Sequence, residues 1–187
     1  MVFNKHSHLE SQHAFLSPSK YHWINYDEEK IINSFLKYQA TIRGTELHEL
    51  ARQCINLGVK LPKSNKTLNL YVNDAIGFKM ITEQLLYYSN NCFGTTDTIS
   101  FRKNFLRIHD LKTGETPASI KQLIVYASLF CLEYKHKPQE ISIELRLYQN
   151  DEVITLEPEV EEILFVMNKI ILFDKKINQL REDGFHV

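Results

Sequence analysis

Apolar residues recur along the chain with the spacings of helices and strands, and these spacings predict the order of the elements. Ser17 followed by Pro18 is typical of a helix start, because Ser caps a helix and Pro fits its first position. Helical periodicity continues in residues 31–40, 44–58, 68–78, 118–135 and 158–180. Strand patterns cover residues 79–88, 95–101, 105–111, 141–148 and 153–156. This order predicts an α/β layered domain.

Composition narrows the class of protein without changing that picture. The chain has 187 residues, of which 43% are hydrophobic, so it is long enough and apolar enough to form a packed domain. Its uncharged apolar runs, such as residues 163–167, are far shorter than the roughly 18–20 residues that span a bilayer. The N-terminus has no apolar run before a small-residue cleavage site, so we expect no secretory signal and no membrane partner. A cytoplasmic location is the prediction.

The cysteines and the charge pattern add two weaker expectations. Cys54, Cys92 and Cys131 are odd in number and far apart, which argues against a disulfide framework or a paired-cysteine metal site. Residues 1–137 carry 17 Lys and Arg against 12 Asp and Glu, whereas residues 138–187 carry 5 against 11. The first region is therefore the one expected to face an anionic partner.

Two predicted strands form a hairpin that brings acidic residues together. A turn centred between Lys103 and Asn104 places Asp97 opposite Asp110 on one face, with Cβ atoms roughly 4.5–5.5 Å apart. Lys112 shares that face because it lies two residues beyond Asp110. Two carboxylates this close repel each other unless a cation or a proton lies between them, and a hard divalent metal satisfies this arrangement.

An ordinary exposed hairpin, with these charges in water, is the alternative reading of the same pattern. The opposite face of the hairpin is more polar, since it carries Thr96, Thr98 and Ser100 with Phe105, Arg107 and His109. We therefore expect the face with the two carboxylates to be the buried one. Glu83, on the preceding strand, is a further candidate for the same site, and a solvated strand charge is an equal alternative for it.

These residues belong to four ordered motifs that together resemble a known family. The motifs are G-T-E-L-H at residues 44–48, G-T-T-D-T-I at 94–99, D-L-K-T-G at 110–114 and Q-L-I-V-Y-A at 122–127. They resemble the RecB-like exonuclease branch of the PD-(D/E)XK nuclease superfamily, and the L-S-P-S at residues 16–19 resembles that branch's opening helix. The resemblance extends over residues 15–130. It implies a restriction-endonuclease-like central mixed sheet flanked by helices, with an N-terminal helical segment.

The resemblance also implies a role for each matching residue. His48, Asp97, Asp110 and the Leu111 carbonyl would bind Mg²⁺ or Mn²⁺, and Lys112 would act on the attacking water and the phosphate. Gln122 and Tyr126 would support the active site and the nucleic-acid strand, and their four-residue spacing places them on one helix face. The cysteines that hold an iron–sulfur cluster in some members are missing here, so none is expected.

The predicted organisation is a flexible arm at residues 1–14 and a single nuclease domain at residues 15–187. The predicted function is a metal-dependent DNA exonuclease in recombination, repair or phage DNA processing. The sequence lacks a P-loop, so no helicase motor accompanies it, and a homo-oligomer or a recombination partner protein is expected alongside DNA. Two alternatives remain: a non-catalytic interaction or inhibitor protein on the same fold, and a structure-specific or RNA-directed nuclease.

Overall fold

The computed structural model describes residues 4–10, 13–114 and 116–183. The chain divides into two compact units, Met1–Thr45 and Glu46–Val187. Part of the predicted arm at residues 1–14 lies outside the described residues, and the division into arm and nuclease domain stays a prediction. Among the described residues, no helix combines the length and the apolar character needed to cross a bilayer.

The first unit contains short 3₁₀ helices and the beginning of a long α-helix. A one-turn 3₁₀ helix covers Ser7–Leu9, and a second covers Pro18–Asn25, where the sequence predicted a helix start. Helix α1 then covers Glu28–Leu57 without interruption. The prediction of separate helices at residues 31–40 and 44–58 is therefore wrong. Glycine lowers helix stability by only about 1 kcal/mol relative to alanine, so Gly44 alone does not stop the helix.

The second unit contains the sheet and three further helices. Helix α1 ends before Gly58, whose φ of 67° is the left-handed conformation that ends many helices. Strand and helix bounds agree with the predicted ones to within three residues. In chain order the elements are α2 (Thr67–Gly77), β1 (Ile81–Ser89), β2 (Cys92–Arg102), β3 (Phe105–Leu111), α3 (Lys121–Tyr134), β4 (Ser142–Gln149), β5 (Glu152–Leu156) and α4 (Val160–Glu182).

The five strands form one mixed open sheet in the order β1-β2-β3-β4-β5. Neighbouring strands are antiparallel except β3 and β4, which are parallel because α3 carries the chain back between them. The β2–β3 turn uses two residues with positive φ, Lys103 and Asn104, as tight hairpins require. The pairings Ile99–Ile108 and Phe101–Leu106 confirm the predicted register. This architecture confirms an α/β fold with a mixed sheet and flanking helices.

Apolar clusters cover both faces of the sheet. On one face, side chains such as Leu106 and Ile108 pack with Leu123 and Ala127 of α3. On the other, a second cluster contains Ala51 of α1, residues of α2 such as Tyr71, Val72 and Ala75, and Leu111 and Tyr148 from the sheet.

The expectation that only the carboxylate-bearing face of the hairpin is buried is therefore wrong. Thr96, Thr98 and His109 on the more polar face are fully buried as well. Two of these buried side chains have partners that offset the cost of burying polar groups. Thr96 Oγ1 donates to the Gln84 carbonyl at 3.3 Å, and His109 packs edge-on against the Phe78 ring.

Candidate functional site

Asp97 joins strands β2 and β3 at the end of their hydrogen-bonded ladder. The recorded backbone pairing of the two strands ends at Thr98 and His109, one step short of the predicted Asp97–Asp110 pair. The Asp97 carboxylate continues the connection, since its Oδ2 accepts a 2.9 Å hydrogen bond from the Leu111 amide. The same oxygen is 3.5 Å from Nδ1 of His48 on α1. Helix α1 and the sheet thus bring two of the predicted ligands together.

Asp110 is a buried carboxylate with a single nearby ammonium. Lys112 Nζ donates to Asp110 Oδ1 at 3.1 Å and is 2.9 Å from Oδ2, and the Asp110 side chain is only 4% exposed. The contact to Oδ2 lacks hydrogen-bond geometry, so that buried oxygen accepts no hydrogen bond from any described residue. Burial raises the pKa of Asp110, the negative charge of Asp97 raises it further, and Lys112 acts in the opposite direction.

Lys112 also links the sheet to helix α3. Its Nζ donates to Gln122 Oε1 at 3.1 Å, and Gln122 Nε2 in turn donates to the Tyr126 hydroxyl at 3.2 Å. Tyr126 lies against Gly94 of β2, where an added Cβ would stand 3.0 Å from the tyrosine Cε1 atom. Glycine at position 94 is therefore what allows this ring to approach the sheet. One chain of contacts connects residues from three of the four sequence motifs.

The other two predicted site residues have different surroundings. The Leu111 side chain packs in the second apolar cluster, and its carbonyl as a metal ligand stays a prediction. Glu83 is exposed, and its Oε2 is 3.7 Å from Arg52 Nε on α1. Its φ of 50° is unusual for a non-glycine residue inside a strand. A small cavity beside it is lined by His48, Arg52, Tyr71, Thr82, Glu83 and Asp97.

The donor atoms suit a hard divalent cation, although they are not gathered around one point. In the described parts of the chain, no group of three or more His, Cys, Asp and Glu side chains is placed to hold a metal. Asp110 Oδ2, buried and without a hydrogen bond, is nevertheless the kind of oxygen that Mg²⁺ or Mn²⁺ prefers. Asp97 and His48 add a second carboxylate and an imidazole. The chemistry of these donors therefore suits such an ion, and Asp110, Asp97 and His48 are the residues that would hold it.

No family model, no curated protein and no solved structure matches this chain.

Two residues near the site were not predicted from the sequence. Arg52 of α1 makes a bidentate contact with Glu49, at 2.8 and 2.6 Å, beside the cavity that contains His48. Gln149, at the end of β4, bonds to the loop that follows Lys112. Arg52 lies one helical turn after His48 on α1, so this four-residue spacing could have marked it. Gln149 has no such spacing, and only the fold brings it to the site.

Proposed function

We propose that this protein is a Mg²⁺- or Mn²⁺-dependent nuclease that hydrolyses phosphodiester bonds in DNA, with a restriction-endonuclease-like arrangement of its sheet. One observation carries the proposal: Lys112 contacts both Asp110 on β3 and Gln122 on α3. Residues that the family motifs would place in one active site thus meet in space, and Tyr126 and Gly94 extend the same group. The excess of basic residues in positions 1–137 supports an anionic substrate.

Each side chain has a physical role in this reaction. Asp97, Asp110 and His48 would hold the ion, which when bound activates a water molecule and offsets negative charge on the phosphate. Lys112 places a positive charge where negative charge grows in the transition state, and such a charge lowers the barrier more than it strengthens ground-state binding. Gln122 accepts a hydrogen bond from the Lys112 ammonium and so restricts its position. The Tyr126 hydroxyl accepts a hydrogen bond from Gln122 Nε2 and keeps that amide oriented.

A non-catalytic interaction protein on this fold is the second candidate, and two observations favour it. Among the described residues no three-ligand metal group is assembled, and Lys112 already neutralises Asp110. A protein that needs no metal would have the same geometry. The two candidates differ in whether the chain cleaves nucleic acid at all.

The test is a cleavage assay with end-labelled linear DNA, covalently closed circular DNA and RNA, each with and without Mn²⁺. Loss of linear DNA alone indicates an exonuclease, nicking of circles indicates an endonuclease, and loss of RNA alone indicates an RNA-directed enzyme. Asp110→Asn should abolish cleavage, whereas the matched control Asp183→Asn, at an exposed position after α4, should not. Absence of metal-dependent cleavage of every substrate by the unmodified protein would contradict the proposal and favour the interaction protein.

A further inference from the structure

Gln149, the last residue of β4, makes three hydrogen bonds to the segment that connects β3 with α3. Its Nε2 donates to the carbonyls of Gly114 at 2.5 Å and Thr116 at 2.8 Å. Its Oε1 accepts from the Ala118 amide at 2.9 Å. Gln149 is 8% exposed, and all three bonds are partly buried. Residues 112–114 and 116–120 of this connection belong to no strand or helix, and backbone groups in it obtain partners from this one amide.

The donors and acceptor of the Gln149 amide match the backbone groups that it contacts. A primary amide offers two N–H donors and one carbonyl acceptor, and here both donors and the acceptor are used. A glutamate of the same length retains the acceptor and loses both donors, and its charge would face two carbonyl oxygens. Methionine fills a similar volume with no N–H group and no carbonyl oxygen. Substitutions that keep the size of the side chain but change its hydrogen-bonding groups therefore test the role of Gln149.

The neighbouring residue of β4 fixes the other end of the same segment. The Lys112 amide donates to the Tyr148 carbonyl at 2.9 Å. Tyr148 and Gln149 thus hold the chain at Lys112 and again at Gly114, Thr116 and Ala118, just before α3 begins at Lys121. The path between these points determines where Gln122 lies relative to Lys112, whose Nζ and the Gln122 Oε1 are 3.1 Å apart.

We infer that Gln149 is a positioning residue for the proposed reaction: its amide fixes the β3–α3 connection so that Lys112 and Gln122 meet beside Asp110. The inference rests on the proposed nuclease function for its catalytic consequence. It assigns to Gln149 no contact with substrate or metal. Gln149 acts through the loop: by fixing it, Gln149 keeps Lys112 and Gln122 close to the geometry that the reaction requires.

The experiment compares Gln149→Met and Gln149→Glu with the wild-type protein, and uses Gln179→Met on the exposed side of α4 as the matched control. The first measurement is the rate at which an amine-acylating reagent labels Lys112, read by mass spectrometry and divided by the labelling of exposed Lys63. Both Gln149 variants should increase this ratio several-fold, because the ammonium loses its fixed partner. Amide hydrogen exchange at Ala118 should accelerate in Gln149→Met and stay slow in Gln149→Glu, which keeps the acceptor.

The second measurement is the single-turnover cleavage rate beside DNA affinity, at a temperature where every variant is folded. Both Gln149 variants should cleave slower by a factor on the order of 10 to 100, the scale expected for a displaced catalytic group, with affinity almost unchanged. A merely structural role would lower stability and leave the Lys112 labelling ratio and the rate of the folded protein as in wild type. That result would overturn the inference.

The design separates failure of the inference from failure of the proposed function. If the wild-type protein cleaves and the Gln149 variants cleave equally well, the positioning role is refuted and the nuclease function stands. If the wild-type protein cleaves nothing, the proposed function and the catalytic role of Gln149 both fail, and the labelling ratio still decides whether the amide holds Lys112 in place.

Discussion

Replacing Lys112 with methionine should destabilise the folded protein when no metal is present. The substitution removes the one ammonium within 3.1 Å of either Asp110 oxygen and leaves a carboxylate that is 4% exposed. Removing one partner of a buried ion pair costs roughly 3–5 kcal/mol, because the remaining charge stays desolvated. Lys112 is 31% exposed, so solvent already screens the pair in part. We therefore expect the free energy of unfolding to fall by about 2–3 kcal/mol.

The assay is urea unfolding of metal-free protein, followed by circular dichroism, as a double-mutant cycle. Lys112→Met, Asp110→Asn and the double variant are compared with wild type, and the double variant should recover most of the stability that Lys112→Met loses. Mn²⁺ should then stabilise Lys112→Met more than wild type, since the ion supplies the missing positive charge without displacing an ammonium. A Lys112→Met protein as stable as wild type in chelator would refute this account of the pair.

Two further predictions concern the surroundings of the site and a contact remote from it. Gly94→Ala should force the Tyr126 ring to move, because the new Cβ would stand 3.0 Å from the ring atom Cε1. The free energy of unfolding should fall by about 1–3 kcal/mol. The double variant Gly94→Ala with Tyr126→Leu should recover this stability without recovering cleavage. The hydrogen bond from Ser89 and then that from Asn91 lower the pKa of Asp174, so its stabilising effect is present above the unfolded pKa of about 3.9 and is lost as pH falls through the lower folded value. Urea unfolding of Asp174→Asn should accordingly show a deficit at pH 7 that disappears in acid, and a deficit that does not change with pH would contradict this cause.

Local patterns were enough to predict most of the elements of the fold. The β2–β3 register followed from the turn at Lys103 and Asn104, because hairpin pairing is a local property. Two expectations failed, one for a local reason and one because a distant part of the chain decides the outcome. The helix through Gly44 continues because a single glycine is a weak interruption. His109 is buried because α2, far earlier in the chain, covers the face that it occupies.

Part of the candidate site could be predicted from sequence motifs, and part depends on contacts between distant residues. Motif order predicted that Asp110, Lys112 and Gln122 belong together, and the contacts of Lys112 join them. The motifs gave no sign that Lys112 would contact both oxygens of Asp110, since that depends on the side-chain rotamers. Gln149 was beyond prediction for a different reason: its partners are backbone carbonyls and an amide, which leave no pattern in the sequence.

The most direct test of the central claim is the single-turnover cleavage rate of Lys112→Ala beside its gel-shift affinity for the same DNA, at one salt concentration with Mn²⁺. If Lys112 stabilises the transition state, the rate should fall on the order of 10²-fold or more. Affinity should change little, because the other basic residues of the first 137 still meet the backbone. A Lys112→Ala protein that cleaves at the wild-type rate would remove Lys112 from the active site and contradict the account.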